Sequence, residues 1–230
     1  MNLDIIIPVY NEKKTIEAVV KKVLQFKEIN TRIIIVDDGS TDGTLGIIRD
    51  LKKNHPNTIK VLSHNKNLGK GAAIRTAIQN LESQIVLIQD ADLEYDPSDY
   101  PKLLNPILNN QADVVYGSRF LGGQQVRVHL FWNYLANKLL TLTTNILVNM
   151  NFTDMETGYK VFKREALDSI NIEENSFTFE PEITIKLAKK KLVFYEVPIS
   201  YYGRSYEEGK KIKLKDAFLA LYCLFKYRFL

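Results

Sequence analysis

Cysteine is almost missing from this chain: Cys223 is the only one in 230 residues. A lone cysteine excludes an internal disulfide and a zinc knuckle, and it fits a reducing cytosol. Long apolar runs are lacking as well. The longest candidate, AFLALYCLF at 217–225, is half of the roughly 18 residues that a membrane span requires. The opening MNLDIIIPVYNE has no basic start and turns polar early, so no signal peptide is expected. The phosphate loop Gly-x4-Gly-Lys-Ser/Thr is absent, and no Gly-x-Gly-x-x-Gly follows the first apolar run. Those absences count against a P-loop nucleotidase and a dinucleotide-binding dehydrogenase. Neither charge dominates. Lys and Arg number 31 against 27 Asp and Glu, a net charge of +4, which makes no case for nucleic acid but suits anionic ligands or an anionic membrane surface.

What is present is ordinary globular material, 45% hydrophobic and 25% charged, with no repeat, low-complexity tract or linker. The length predicts one large α/β domain over 1–230. Apolar runs at LDIIIPV, RIIIV (32–36), IKVLS (59–63), IVLIQ (85–89) and DVVYGS (113–118) predict strands. Between them lie helical spacings at 12–27, after DDGSTDGT, at 70–81 and, opened by Pro97, at 97–109. Continuous apolar strands alternating with amphipathic helices mean a mostly parallel sheet covered on both faces. Further on, 128–152 predicts one amphipathic helix or two, followed by a helix near 181–190, a strand at LVFYEVPISYY and a last helix from about 213.

Ligands bind such sheets at the carboxyl ends of the strands, and those ends are loaded here. YNE follows the first strand, DDGSTDGT (37–44) the second, HNKNLGKG (64–71) the third and DADLEYD the fourth. A helix cap explains Gly39, Ser40 and Thr41. It does not explain Asp37 and Asp38 ending a buried strand, where a carboxylate is costly without a partner. Either aspartate suits a nucleotide base or ribose. Gly69 and Gly71 beside Lys70 provide either a plain turn or a close approach of backbone amides to phosphate. In QDADLEYDP (89–97), Asp90, Asp92, Glu94 and Asp96 alternate, so in an extended chain all four would face one way. Asp96 before Pro97 suits a cap. The others suit Mg2+ or Mn2+, which take one or two carboxylates plus substrate phosphates and turn like-charge repulsion into ligation. Arg119, ending the fifth strand, suits bidentate phosphate contact, or else an ordinary ion pair.

PVYNE (8–12), DDGSTDGT and DADLEYDP, in this order and spacing, resemble glycosyltransferase family 2 with its GT-A nucleotide-sugar fold. HNKNLGKGAAIRTA, YGSRFLGG, TDMETGYKVFKRE and YYGRSYEEGKKI are similar to the branch of dolichol-phosphate mannose synthases and polyprenyl-phosphate glycosyltransferases. The resemblance implies a nucleotide-sugar and metal half at 1–120 and an acceptor and membrane half at 121–230. Within the first, Pro8, Tyr10, Glu12, Asp37 and Asp38 hold the nucleotide, and Asp90, Asp92 and Glu94 surround the cation, although the branch often has Gln at the last position. Arg119 meets a phosphate, while Arg204, Lys211 and Ser205 close over the site.

It further implies inverting, metal-dependent transfer of mannose or glucose from GDP-mannose or UDP-glucose to a dolichyl or undecaprenyl phosphate. The place of action would be the cytoplasmic face of a membrane, held peripherally. The last helix, with a short apolar body, aromatics and Lys213, Lys215, Lys226 and Arg228, suits an interfacial helix or plain core packing. Glu180 and Glu182 lie where relatives with hydroxyl acceptors keep a base, but a phosphate acceptor needs none. A non-processive transferase to a hydroxyl and a non-catalytic nucleotide-sugar binder are the rival readings. The processive motif Gln-x-x-Arg-Trp is missing, since the only tryptophan, Trp132, follows Phe131.

Overall fold

The computed structural model describes residues 1–204 and 214–230. Seven strands form one sheet: β1 (Asn2–Val9), β2 (Asn30–Asp37), β3 (Ile59–Ser63), β4 (Ile85–Ile88), β5 (Val114–Ser118), β6 (Lys160–Lys163) and β7 (Phe194–Pro198). The order is β3-β2-β1-β4-β6-β5-β7. All neighbours are parallel except β6, which runs antiparallel to both β4 and β5. Both faces are covered, which explains the unbroken apolar strands. Ile5, Ile7, Ile33, Ile35 and Leu87 point into one core with Val19, Val20 and Val23 of α1 (Ile16–Gln25) and Leu103 and Leu104 of α4 (Tyr100–Leu108). Ile6, Ile34, Val36, Val86 and Ile88 point into the other, against Ala73, Ile74 and Ala77 of α3 (Lys70–Ile78). The period of two simply alternates between two buried sides.

The helices are shorter than the periodicity predicts. Residues 10–15 are loop because Asn11 takes a left-handed conformation, φ 53°. After β2, α2 (Thr44–Asn54) starts behind Gly43, φ 94°, and Asp42 accepts the Thr44 amide at 3.0 Å. Pro97–Asp99 form a 3-10 turn before α4, capped as expected by Asp96, which accepts from the Ser98 amide at 2.9 Å. The 128–152 stretch is one helix, α5 (Phe131–Val148), and LVFYEVPISYY contributes only β7. The short α6 (Arg164–Asp168), α7 (Phe179–Ala188) and α8 (Leu214–Phe229) complete the chain.

One face of α8 packs in the core, as one of its two alternatives expects, and the other is exposed. Ala220, Cys223, Leu224 and Tyr227 pack in a third core with Leu140 of α5 and Ile185 of α7. Phe218, Tyr222 and Phe229 are exposed, as are Phe131, Trp132, Leu142 and Ile146 of α5. Lys226 is not a free interfacial cation: it pairs with Glu174 at 2.8 Å. Lys213 and the Lys215 side chain lie outside the described residues.

Topology positions the site. The chain runs from β1 outward to β3 and then returns to place β4 on the other side of β1, so their carboxyl ends form the switch-point crevice. The antiparallel β6 begins there too, because Lys160 pairs with Ile88. At the opposite end of the sheet, fully buried Asp4 accepts from Arg32 at 2.9 Å and from Ser83 Oγ and the Glu82 and Ser83 amides. Burial pushes this carboxyl up, but Arg32 and those donors outweigh it and hold it below the ordinary carboxylate range. Its contribution is therefore complete above that range and lost as pH falls through the depressed value. Asp4→Ala should cost about 2–4 kcal/mol at neutral pH, with the difference from wild type shrinking in acid, as read by urea denaturation.

Candidate active site

The loop after β1 is laced to the loop after β2. The Asn11 amide donates to Ser40 Oγ at 2.9 Å, the Thr41 amide to Asn11 Oδ1 at 2.8 Å and the Glu12 amide to Thr44 Oγ1 at 3.1 Å. Pro8 is buried inside β1 beside Val36, and Tyr10 follows it half-buried. Asp37 and Asp38 are both buried. Asp38 faces inward chemically as well: it takes His64 Nδ1 at 2.7 Å and the amides of Leu68 at 2.9 Å and Gly69 at 2.7 Å. It shapes the third loop instead of offering a free carboxylate. Asp37 accepts the Ser40 amide at 3.2 Å and keeps Oδ1 without a partner.

Gly69 also differs from the phosphate-cradle expectation. It has φ 104°, and a Cβ there would overlap the Asn175 carbonyl; one at Gly71 would overlap that of Glu174. The Asn175 carbonyl accepts the Ala72 amide at 3.2 Å. These glycines let the 174–175 backbone press onto the start of α3. Lys70 points elsewhere, bridging Asp90 at 2.8 Å and Glu180 at 3.0 Å. Burial lowers its pKa, but the two carboxylates outweigh that and raise it.

The acidic loop is bent rather than extended, so its four carboxylates part company. Asp90 goes to Lys70, and Asp96 to the turn and to Lys22 at 2.7 Å. Asp92 accepts from Arg204 at 2.6 Å. Glu94 is a tether: it takes the Arg204 amide and Nε, each at 3.0 Å, the Tyr201 hydroxyl at 2.7 Å and, on its carbonyl, the Tyr202 amide at 2.8 Å. That full set of donors is a different task from the metal ligation expected of it. Arg204 also reaches Glu12 at 3.3 Å. Burial, then the neighbouring Asp90 and Glu94 charges, push Asp92 up to about 7 against the pull of Arg204. Ser205 and Lys211 lie outside the described residues.

Arg119 is neither exposed nor an ordinary surface pair. Asp154, fully buried, takes its Nε at 2.6 Å and a terminal nitrogen at 2.7 Å, and the guanidinium lies 5.1 Å from the Tyr201 ring centre. Sequence reasoning assigned no role to the residues of TDMETGYK, yet the segment lines the site. Gly158 abuts Asp90 so closely that a Cβ would overlap its carboxylate. Buried Lys160 pairs with Glu180. Glu182 accepts the Glu173 and Glu174 amides at 2.8 Å and Lys186 at 2.7 Å. Neither Glu180 nor Glu182 is a free base.

Do these residues fit a divalent cation? Among the described residues no three His, Cys, Asp or Glu side chains converge into a closed metal cage. Mg2+ and Mn2+ need none, since they bind through one or two carboxylates and complete their shell with phosphate and water oxygens. Among the described residues, Lys70 pairs with Asp90, and Arg204 pairs with Asp92, Glu94 and Glu12. The all-oxygen donor set and the closeness of Asp90 and Asp92 in one loop suit a divalent ion, with Asp92 and Asp90 as the residues to hold it.

The family model for glycosyl transferase family 2 matches residues 4–170. The chain belongs to that family. Membership makes it a glycosyltransferase. A UDP-N-acetylglucosamine–dolichyl-phosphate N-acetylglucosaminyltransferase of Methanococcus voltae is 30% identical, over 96% of this chain and 93% of the relative. A dolichyl-phosphate beta-glucosyltransferase of Trichomonas vaginalis is 28% identical over 91% of this chain and 67% of its own. The dolichol-phosphate mannosyltransferase of Pyrococcus furiosus is also 28% identical over 91%, but this chain spans only 59% of its length. Glucosyl-3-phosphoglycerate synthase of Mycobacterium tuberculosis, solved with uridine diphosphate, superposes with a TM-score of 0.75 at 18% identity, covering all of this chain and 80% of the other. That likeness fixes the fold as GT-A. The same enzyme has been solved with Mn2+, uridine diphosphate and glucosyl-3-phosphoglycerate, with a TM-score of 0.73 and 20% identity.

One carboxyl of this glycosyltransferase stands apart. Glu156 Oε1 is enclosed without a partner, and burial, then repulsion from Glu180, raise its pKa to about 7 despite Lys160 and Arg119. The folded chain thus keeps a proton that the unfolded chain has already lost, so stability falls as pH rises from the ordinary glutamate value through about 7. Glu156→Gln should remove that slope and gain roughly 1–3 kcal/mol above it, measured as urea midpoints from pH 5 to 8.

Proposed function

We propose that this family 2 glycosyltransferase moves a hexose from a nucleoside diphosphate sugar to a polyprenyl phosphate, with inversion at the anomeric carbon. The observation that carries the reading is the absence, among the described residues around the crevice, of an accessible uncommitted base. Lys70 and Lys160 occupy Glu180, backbone amides and Lys186 occupy Glu182, and Asp38 and Thr76 occupy the two nitrogens of His64. The unpaired oxygens of Glu156 and Asp37 are sealed from solvent. A hydroxyl acceptor requires a proton acceptor, whereas a phosphate is already anionic. The names of the similar N-acetylglucosaminyl-, glucosyl- and mannosyltransferases, all acting on dolichyl phosphate, support the same acceptor class.

In the reaction an oxygen of the acceptor phosphate forms a bond to the anomeric carbon as the bond from that carbon to the β-phosphate oxygen breaks. The nucleoside diphosphate departs with the electron pair. Asp37, through the loop it shares with Ser40, and Tyr10 bind the nucleoside, with Asp38 shaping the wall of that subsite. Asp92 and Asp90 hold the divalent cation, which when bound neutralises charge on the departing diphosphate. Arg119, locked in one orientation by Asp154, presents a fixed positive charge beside the phosphates. The acceptor arrives at a membrane surface. Among the described residues no helix is long and apolar enough to cross a bilayer, but Phe131 and Trp132 of α5 and Phe218, Tyr222 and Phe229 of α8 give an apolar face that suits interfacial docking at the cytoplasmic side.

Incubation with Mg2+ or Mn2+, a polyprenyl phosphate and a panel of labelled nucleotide sugars should move label from one donor into the organic phase. EDTA should abolish the transfer, and Asp92→Asn should lower it by about 100-fold or more. Label entering only water-soluble products would establish a hydroxyl acceptor, and donor binding without turnover would establish a binding protein. Replacing Trp132 and Phe218 together by serine should weaken flotation with anionic liposomes by about tenfold. Turnover of a short-chain, water-soluble acceptor should be unaffected.

A further inference from the structure

Arg204 sits where the chemistry calls for a metal. Its guanidinium donates to Asp92 at 2.6 Å, to Glu94 at 3.0 Å and to Glu12 at 3.3 Å, and it is the only Lys or Arg that the described residues bring to those three carboxylates. The cluster is largely closed to solvent, with the Arg204 side chain 20% exposed and Glu12, Asp92 and Glu94 each less. The backbone before it is well anchored. Tyr201 bridges to Val126, the Arg127 side chain donates to the Gly203 carbonyl at 3.0 Å, and the Tyr202 and Arg204 amides both end on Glu94.

The two ends of the guanidinium have unequal holds. Nε is tied to Glu94 together with the residue's own amide, so that end stays with the backbone. The terminal nitrogen on Asp92 is held by a side chain alone. We propose that Arg204 is a built-in placeholder for the divalent cation: it occupies Asp92 while the donor is absent, competes with the metal for that carboxylate, and passes to the diphosphate when donor and metal enter together. The inference rests on the metal assignment made under Proposed function. Its physical basis is simple exchange. A guanidinium can exchange a carboxylate for a phosphate group, since each offers two oxygens to its planar fork. The entering diphosphate supplies that second partner and also the missing oxygen ligands of the metal. Loading is then coupled: the cation binds weakly alone and tightly with the nucleotide.

The test is Mn2+ binding by the full chain, followed through the electron paramagnetic resonance signal of the free ion. Wild type should bind Mn2+ weakly by itself and about tenfold more tightly when UDP or GDP is added, after subtracting the nucleotide's own chelation. Arg204→Gln should bind Mn2+ without nucleotide about tenfold more tightly than wild type, and adding Asp92→Asn to it should erase that gain. If Arg204→Gln proves poorly folded by circular dichroism, Arg204→Lys carries the test. Its single ammonium lacks the fork, so its Mn2+ affinity without nucleotide should exceed that of wild type by about threefold. A folded variant that binds Mn2+ no better than wild type, while wild type still responds to UDP or GDP, overturns the placeholder and leaves the metal assignment standing; Arg204 is then a fixed structural pair. Failure of every protein to hold Mn2+, with either nucleotide present, overturns the metal assignment and the placeholder with it.

Discussion

Four carboxylates converge at the carboxyl ends of β1 and β4, and the rest of the structure is arranged around keeping them together. Like charges in a partly buried crevice repel strongly because water no longer screens them. Lys70 and Arg204 offset part of that cost, and they come from opposite ends of the chain. Lys70 starts α3, while Arg204 follows β7. Each cation is in turn fixed by a second carboxylate, Glu180 for Lys70 and Glu94 for Arg204. Burial and the neighbouring Asp90 and Glu94 charges still weaken the acidity of Asp92 towards neutrality.

The reversal of one strand makes this possible. An all-parallel sheet would carry the segment before β6 to the far end, beside Asp4. Running antiparallel, β6 brings 153–158 to the catalytic end instead. That single choice puts Gly158 against Asp90, Asp154 on Arg119 and Lys160 on Glu180. The Arg119–Asp154 pair is costly to desolvate and adds little net stability. What it provides is orientation, because a bidentate pair in a close-packed setting has one geometry.

The helices of the second half divide their labour by face. α5 and α8 bury one side against each other and α7 and turn aromatic and aliphatic side chains outward on the other. Exposed apolar side chains on two neighbouring helices are consistent with the interfacial docking proposed above. The proposed nucleotide and metal site lies in the N-terminal half, away from the local pattern that builds this outward face.

The fold and the place of the site were legible in the sequence because both rest on local patterns. Strand periodicity, helix spacing and polar strand ends survive without knowledge of partners, and the motifs from PVYNE to TDMETGYKVFKRE carried the family. The roles of single residues were less legible. Asp38 and Gly69 suited nucleotide and phosphate contacts, and the structure adds that Asp38 holds the third loop and Gly69 seats the 174–175 backbone. Alternating carboxylates suggested one shared face, which holds only for an extended chain, and this loop bends. By itself, then, the sequence determined six of the seven strands, the covered faces of the sheet, the family and which strand ends carry charge, since each depends on neighbours within a few residues. Only the tertiary structure decided which carboxylate meets which cation. Those contacts join residues as far apart as Glu12 and Arg204, 192 positions, and depend on the reversed β6, which no local spacing encodes.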